Sequence, residues 1–144
     1  MRISVLPLLM LLFICSNAMA QTNNKSFCLL KDRLFVQQVR DIYLNPQTYG
    51  DKIVQVEGFF DKYIDENKQE RYEVYRKTAG CCGDDGRAGF EFVYKKEKLS
   101  FKTNEWILVE ALVKERVIDG YDHIYLEAIS VVKKDKGKAK EFVM

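Results

Sequence analysis

Ile53-Val54-Gln55-Val56-Glu57-Gly58-Phe59-Phe60 is the stretch on which the fold turns. Its period is two: Val54, Val56, Gly58 and Phe60 share one face of a strand, and Ile53, Gln55, Glu57 and Phe59 share the other. Gly58 inside the run predicts a bulge or a sharp bend. The alternation returns downstream. Tyr72 to Arg76 reads as a second strand, and Gly89 to Tyr94 as a third with Phe90, Phe92 and Tyr94 on one face. Trp106 to Val117 is a long fourth, with Ile107, Val109, Ala111 and Val113 opposite Trp106, Leu108, Glu110 and Leu112. Ile118-Asp119-Gly120 supplies turn chemistry before a fifth strand from His123 to Val132, and the charged stretch Asp61 to Glu70 reads as a loop. These connections are too short for crossover helices. The expected class is mainly β, a small five-stranded antiparallel OB-like barrel.

Upstream of this run the period lengthens. Leu30, Leu34, Phe35, Val39, Ile42 and Tyr43 fall at helical spacing, with Lys31, Asp32, Arg33, Gln37, Gln38 and Arg40 largely outside the stripe. An N-terminal amphipathic helix therefore precedes the barrel and stops at Asn45-Pro46, because the residue before proline is pushed out of the α region. The same pair predicts a single turn to Tyr49, capped by Asn45 and ended by Gly50. Downstream, Lys133 to Lys140 is a lysine-rich stretch of low hydrophobicity, expected to fray.

The chain has 144 residues, of which 47% are hydrophobic and 12% aromatic, enough to fill one core and to exclude disorder. The first twenty residues form a leader. Arg2 is followed by the apolar run Val5 to Ile14 and by Asn17-Ala18-Met19-Ala20, an A-x-A cleavage pattern before Gln21. The expected organisation is a signal peptide over 1–20, a linker over 21–29, helix plus barrel over 30–132 and a charged tail over 133–144. A lipid anchor at Cys15 is the rival reading, disfavoured by Ile14 where a small residue is needed. The leader places the protein in the periplasm or outside the cell, not spanning the membrane once it is removed. The formal charge is only +2, and one of its basic residues, Arg2, belongs to the leader. A body that neutral has no whole-molecule footprint for nucleic acid, so no nucleic-acid partner is expected.

Thr78 to Gly89 is the most unusual segment: Cys81-Cys82-Gly83-Asp84-Asp85 stands in a glycine-rich turn. Neighbouring side chains on a regular strand point to opposite faces, so the two thiols act together only where the chain leaves the strand. Three chemistries compete. A disulfide from Cys28 to Cys81 or Cys82 would leave one thiol over and contribute roughly 3–4 kcal/mol. A zinc-like metal would take Cys81 and Cys82 with Asp85 or Asp84, and His123 or Cys28 as a fourth ligand. The third reading is a pair of small, inert, buried thiols beside an ordinary turn. Arg76, five residues before Cys81, is open to three roles: lowering a thiol's pKa, pairing with Asp84 or Asp85, or standing solvated on its strand.

Asn45-Pro46, Tyr49-Gly50, Val54-x-Val56-x-Gly58-Phe59 and then Arg76-x4-Cys81-Cys82-x2-Asp85 together resemble a bacterial family of predicted two-component membrane permease subunits. The resemblance runs over about residues 33–131. It implies an OB-like extracytoplasmic domain in which Arg76, Cys81, Cys82 and Asp85 are the important positions, and it implies a link to zinc supply. Members carry transmembrane helices ahead of this domain, where this chain has its leader.

Enzyme classes are poorly served. The chain has one His, no glycine-rich phosphate loop between strand and helix, and no H-E-x-x-H. The expected function is an exported, non-enzymatic OB-like accessory domain. It would bind a zinc-like metal ion, or a membrane permease or other envelope protein, through the Cys81-Cys82-Gly83-Asp84-Asp85 loop. Two alternatives stand beside it: an OB-type oligonucleotide-binding module, and a thiol-redox protein using the vicinal cysteines.

Overall fold

The computed structural model describes residues 27–30, 32–81 and 83–143, the side chains of 27 and 83–85 excepted. The expected leader, its rival anchor at Cys15 and most of the expected linker lie outside the described residues. The elements in order are β1 (Phe27–Leu29), a 3-10 turn (Asp32–Leu34), α1 (Phe35–Leu44), a second 3-10 turn (Pro46–Tyr49), β2 (Ile53–Ile64), β3 (Glu70–Gly80), β4 (Gly83–Val93), β5 (Trp106–Ile118), β6 (Tyr121–Lys133) and β7 (Phe142–Val143).

The strands form one seven-stranded sheet in the order β1-β2-β5-β6-β4-β3-β7, with a further pairing of β2 to β3 that bends the five long strands into a partial ring. The expected five-stranded, antiparallel arrangement is corrected on two points. The sheet is mixed, because β1–β2, β3–β7 and β4–β6 are parallel. It also has seven strands among the described residues, since Phe27–Leu29, read as linker, and Phe142–Val143, read as part of the charged tail, both pair. The β4–β6 contact needs no crossover helix. The 94–105 connection carries the chain across the ring so that β5 lies against β2, and β6 returns beside β4 running the same way.

The inward alternation builds the core. Val54, Val56 and Phe60 from β2, Val74 from β3, Phe90 and Phe92 from β4, Ile107 and Val109 from β5 and Leu126 from β6 are all buried, and Phe35, Val39 and Ile42 of α1 close one side. Burying each such side chain is worth about 1.5–3 kcal/mol before entropy is counted. Leu34, placed on the helical stripe by sequence, lies in the 3-10 turn and is 52% exposed. Asn45 does end α1, but its side chain caps nothing and donates instead to Asp41 Oδ1 at 2.8 Å.

Gly58 does not form a bulge. The ladder with β5 runs through it in register, and a Cβ there would sit 2.5 Å from the Tyr75 carbonyl oxygen. Glycine is required because the β3 backbone crosses close by, at the place where β2 exchanges its β5 partner for β3 around Phe59.

Candidate functional site: a split sheet and a cysteine-bearing hairpin

β2 and β3 pair from Phe59–Tyr75 to Ile64–Glu70, and in the other direction they part. β1 takes the vacant edge of β2, and β7 takes that of β3. Arg76 is the first β3 residue beyond the split. Its side chain follows Tyr72 and Val74 inward, so sequence period alone sets it on the core face. The guanidinium is 1% exposed. Nε donates to the Glu57 carbonyl at 2.7 Å, closing the gap where ladder hydrogen bonds end, and Nη1 donates to Asp32 Oδ1. Its Cζ lies over two rings, 4.5 Å from the Phe35 centroid and 5.3 Å from that of Trp106. Arg76 is not solvated on its strand, and its carboxylate partner among the described residues is Asp32. A buried cation needs a partner and full hydrogen bonding, and Asp32, which sequence reasoning passed over, provides it from the turn before α1.

Asp32 has a second task. Its Oδ2 accepts the Lys140 backbone N–H at 3.4 Å, so one carboxylate ties the N-terminal turn, β3 and the returning C-terminal segment. That segment covers a small aromatic cluster on the far face of the sheet. Trp106 meets Phe59 edge to face at 5.2 Å, Tyr75 packs beside them, and Ala139 lies against the cluster. The Tyr75 hydroxyl donates to Asn104 Oδ1 at 3.0 Å, and burial raises its phenol above the ordinary value. Between the N-terminal turn and the tail lies a cavity of about 700 Å³, with Arg76 on its floor.

The C-terminal end of β3 leads to the cysteines. Gly80 pairs with Gly83, so β3 and β4 are joined through positions 81 and 82 alone, and the register shifts between Thr78 and Gly80. Gly86 is confined by this arrangement: a Cβ would stand 2.7 Å from the Ala79 carbonyl oxygen and 2.8 Å from that of Thr78. The segment read as a loop is thus a continuation of both strands, with Cys81 exposed at the apex. Sequence period missed the extension because glycines and carboxylates carry no apolar alternation.

The two motif residues whose side chains are described, Arg76 and Cys81, are therefore not gathered into one site. Arg76 is at the base of the hairpin, inside the protein, and Cys81 is at the tip, in solvent. Cys82 and the side chain of Asp85 lie outside the described residues. Cys28 is a half-buried free thiol on β1, so the expected cross-link from Cys28 to the cysteine pair is not formed. His123 is exposed on β6 opposite Arg116. Among the described residues no three His, Cys, Asp or Glu side chains are placed to hold a metal ion, and no helix is long and apolar enough to cross a membrane.

A family model, the DUF1980 C-terminal domain, matches residues 15–141, which takes in the split, the hairpin and the tail. The chain belongs to the DUF1980 C-terminal domain family. No curated protein matches it. Among solved structures, this DUF1980 C-terminal domain is similar to the small single-stranded DNA-binding protein from Streptomyces coelicolor. Identity is 12%, over 57% of this chain and 93% of that one, with a TM-score of 0.33.

Proposed function

We propose that the protein is an exported, non-enzymatic, OB-like binding module of the cell envelope that engages a membrane-protein partner through the tip of the β3–β4 hairpin. One observation carries this reading: the tight connection leaves Cys81 exposed at its apex, while the residue of the same motif that could have activated it, Arg76, is committed to Asp32 and to two aromatic rings. A thiol exposed at an apex is set out for contact with a partner, whereas nucleophilic catalysis needs an activating base or charge. Export follows from the leader at 1–20.

The metal set expected from sequence, Cys81 with Cys82 and Asp85, supplies three ligands, and a tetrahedral site takes four. A zinc-like ion at the tip would take further ligands from the partner. The experiment measures metal content and partner capture together. The full chain, isolated under reducing conditions with a thiol-directed cross-linker applied to intact cells, should give one envelope-protein adduct, and Cys81→Ser should lose it. Persistence of the adduct in Cys81→Ser and Cys82→Ser, or a mature N-terminus that retains residues 1–20 in the cytoplasm, defeats the reading. Zinc retained by the adduct and by neither protein alone assigns the ion to the interface.

A further inference from the structure

The cavity beside Arg76 has a chemistry independent of the hairpin reading. Its walls are apolar, formed by Leu29, Leu30 and Leu34 on one side and Ala139 of the returning tail on the other. Leu29 and Leu34 remain 48% and 52% exposed while bordering a volume that would bury them. Its rim is cationic, and most of those cations are already committed: Lys134 to Glu57, Lys136 to Glu141, and Arg76 at the floor to Asp32. Arg33 and Lys138 are different. Among the described residues neither has a carboxylate partner, and they come from the two segments that face each other across the cavity. Asp135 is the one rim carboxylate without a cation of its own, so the uncommitted charge at the mouth is positive.

The geometry points to a binding site for an aliphatic carboxylate: a single acyl chain lies along Leu29, Leu30, Leu34 and Ala139, with its carboxylate between Arg33 and Lys138. Arg76 does not serve as the head-group clamp, because its charge is paired with Asp32 and its Nε is given to the Glu57 carbonyl, and it acts as the floor that closes the inner end. The volume, about 700 Å³, falls within the roughly 300–1,000 Å³ of small-molecule sites. Charge complementarity selects the acid over a neutral lipid, and the apolar walls select an acyl chain over a small inorganic anion.

Trp106, the one tryptophan of the chain, stands against the Arg76 guanidinium behind the cavity floor, so its emission reports occupancy. Dodecanoate, titrated below its micellar range into the full chain, is expected to give saturable one-to-one heat and a shift in Trp106 emission. Dodecanol, the same chain without the charge, should bind about tenfold more weakly. Arg33→Glu with Lys138→Glu, both on the surface, should abolish that preference at an unchanged unfolding midpoint, and Leu34→Asp should weaken both ligands. Equal binding of acid and alcohol, or no saturable heat, overturns the proposal. So does tighter binding of an apolar peptide with a free C-terminal carboxylate, which would make the cavity a peptide site.

Discussion

The two ends of the Arg76-to-Cys81 segment do opposite things with polar residues. At Arg76 a guanidinium is drawn out of water and given a backbone carbonyl, a carboxylate and two aromatic neighbours. At Cys81, a few residues on, the side chain is held away from the body by a tight hairpin. A short motif spanning both ends therefore records two different demands, one on folding and one on presentation. Spacing in sequence does not by itself assemble an active site.

Substitutions separate the two ends. Arg76→Ala strips the Glu57 carbonyl and Asp32 of their partner and removes the packing between Phe35 and Trp106. It should cost about 3–5 kcal/mol in urea unfolding, and Arg76→Lys should recover less than half, because an ammonium cannot stack or fork. A loss under 1 kcal/mol would show that the split is held by β1 and β7 instead. Next in size is Gly86→Ala, which drives a methyl into the Ala79 and Thr78 carbonyls and should cost about 1–3 kcal/mol, with the loss of hydrogen-exchange protection confined to the hairpin.

The third effect is a titration. Burial, with Glu73 and Glu91 nearby, pushes the Tyr43 phenol up to about 12, and the hydrogen bond to Asp41 does the same for Tyr49. Both phenols are protonated in the folded and unfolded chain below their ordinary value of 10.0, so their contribution to stability is fully present there and is lost as pH rises through about 12. Ultraviolet titration should find these phenols ionising last, and Tyr49→Phe should remove part of the alkaline loss of stability. Smallest of all, Cys81→Ser should change stability by less than about 0.5 kcal/mol, while abolishing the hairpin's cross-link to its partner. A destabilisation comparable with that of Arg76→Ala would mean that the tip is structural after all.

How much of this was legible in sequence depends on where burial is one-sided. Val54, Val56 and Phe60, or Ile107, Val109, Ala111 and Val113, alternate because one face meets the core, and those strands lie where the period puts them. β2 and β3 run further than their apolar pattern, to Ile64 and Gly80, because hairpin ends are wet on both faces and need no alternation. β1 and β7 are too short to show any period, and their pairing is set by the vacant edges at the split, a tertiary fact. The same applies to the tail: its lysines predict fraying, yet Val143 is buried in the core. Arg76 was half legible, since Tyr72, Val74 and Arg76 share one parity. Its partner was not, because Asp32 lies far away in sequence and carries no signal beyond its charge.

The shared guanidinium has a kinetic consequence. Phe35 belongs to the main core and Trp106 to the separate cluster under the tail, and Arg76 is in contact with both. Two clusters joined through one buried ion cannot open independently, since freeing either leaves the charge short of a neighbour. Hydrogen exchange at the amides of α1 and around Trp106 should therefore report a single opening event, making this fold one cooperative unit across a sheet that is itself divided.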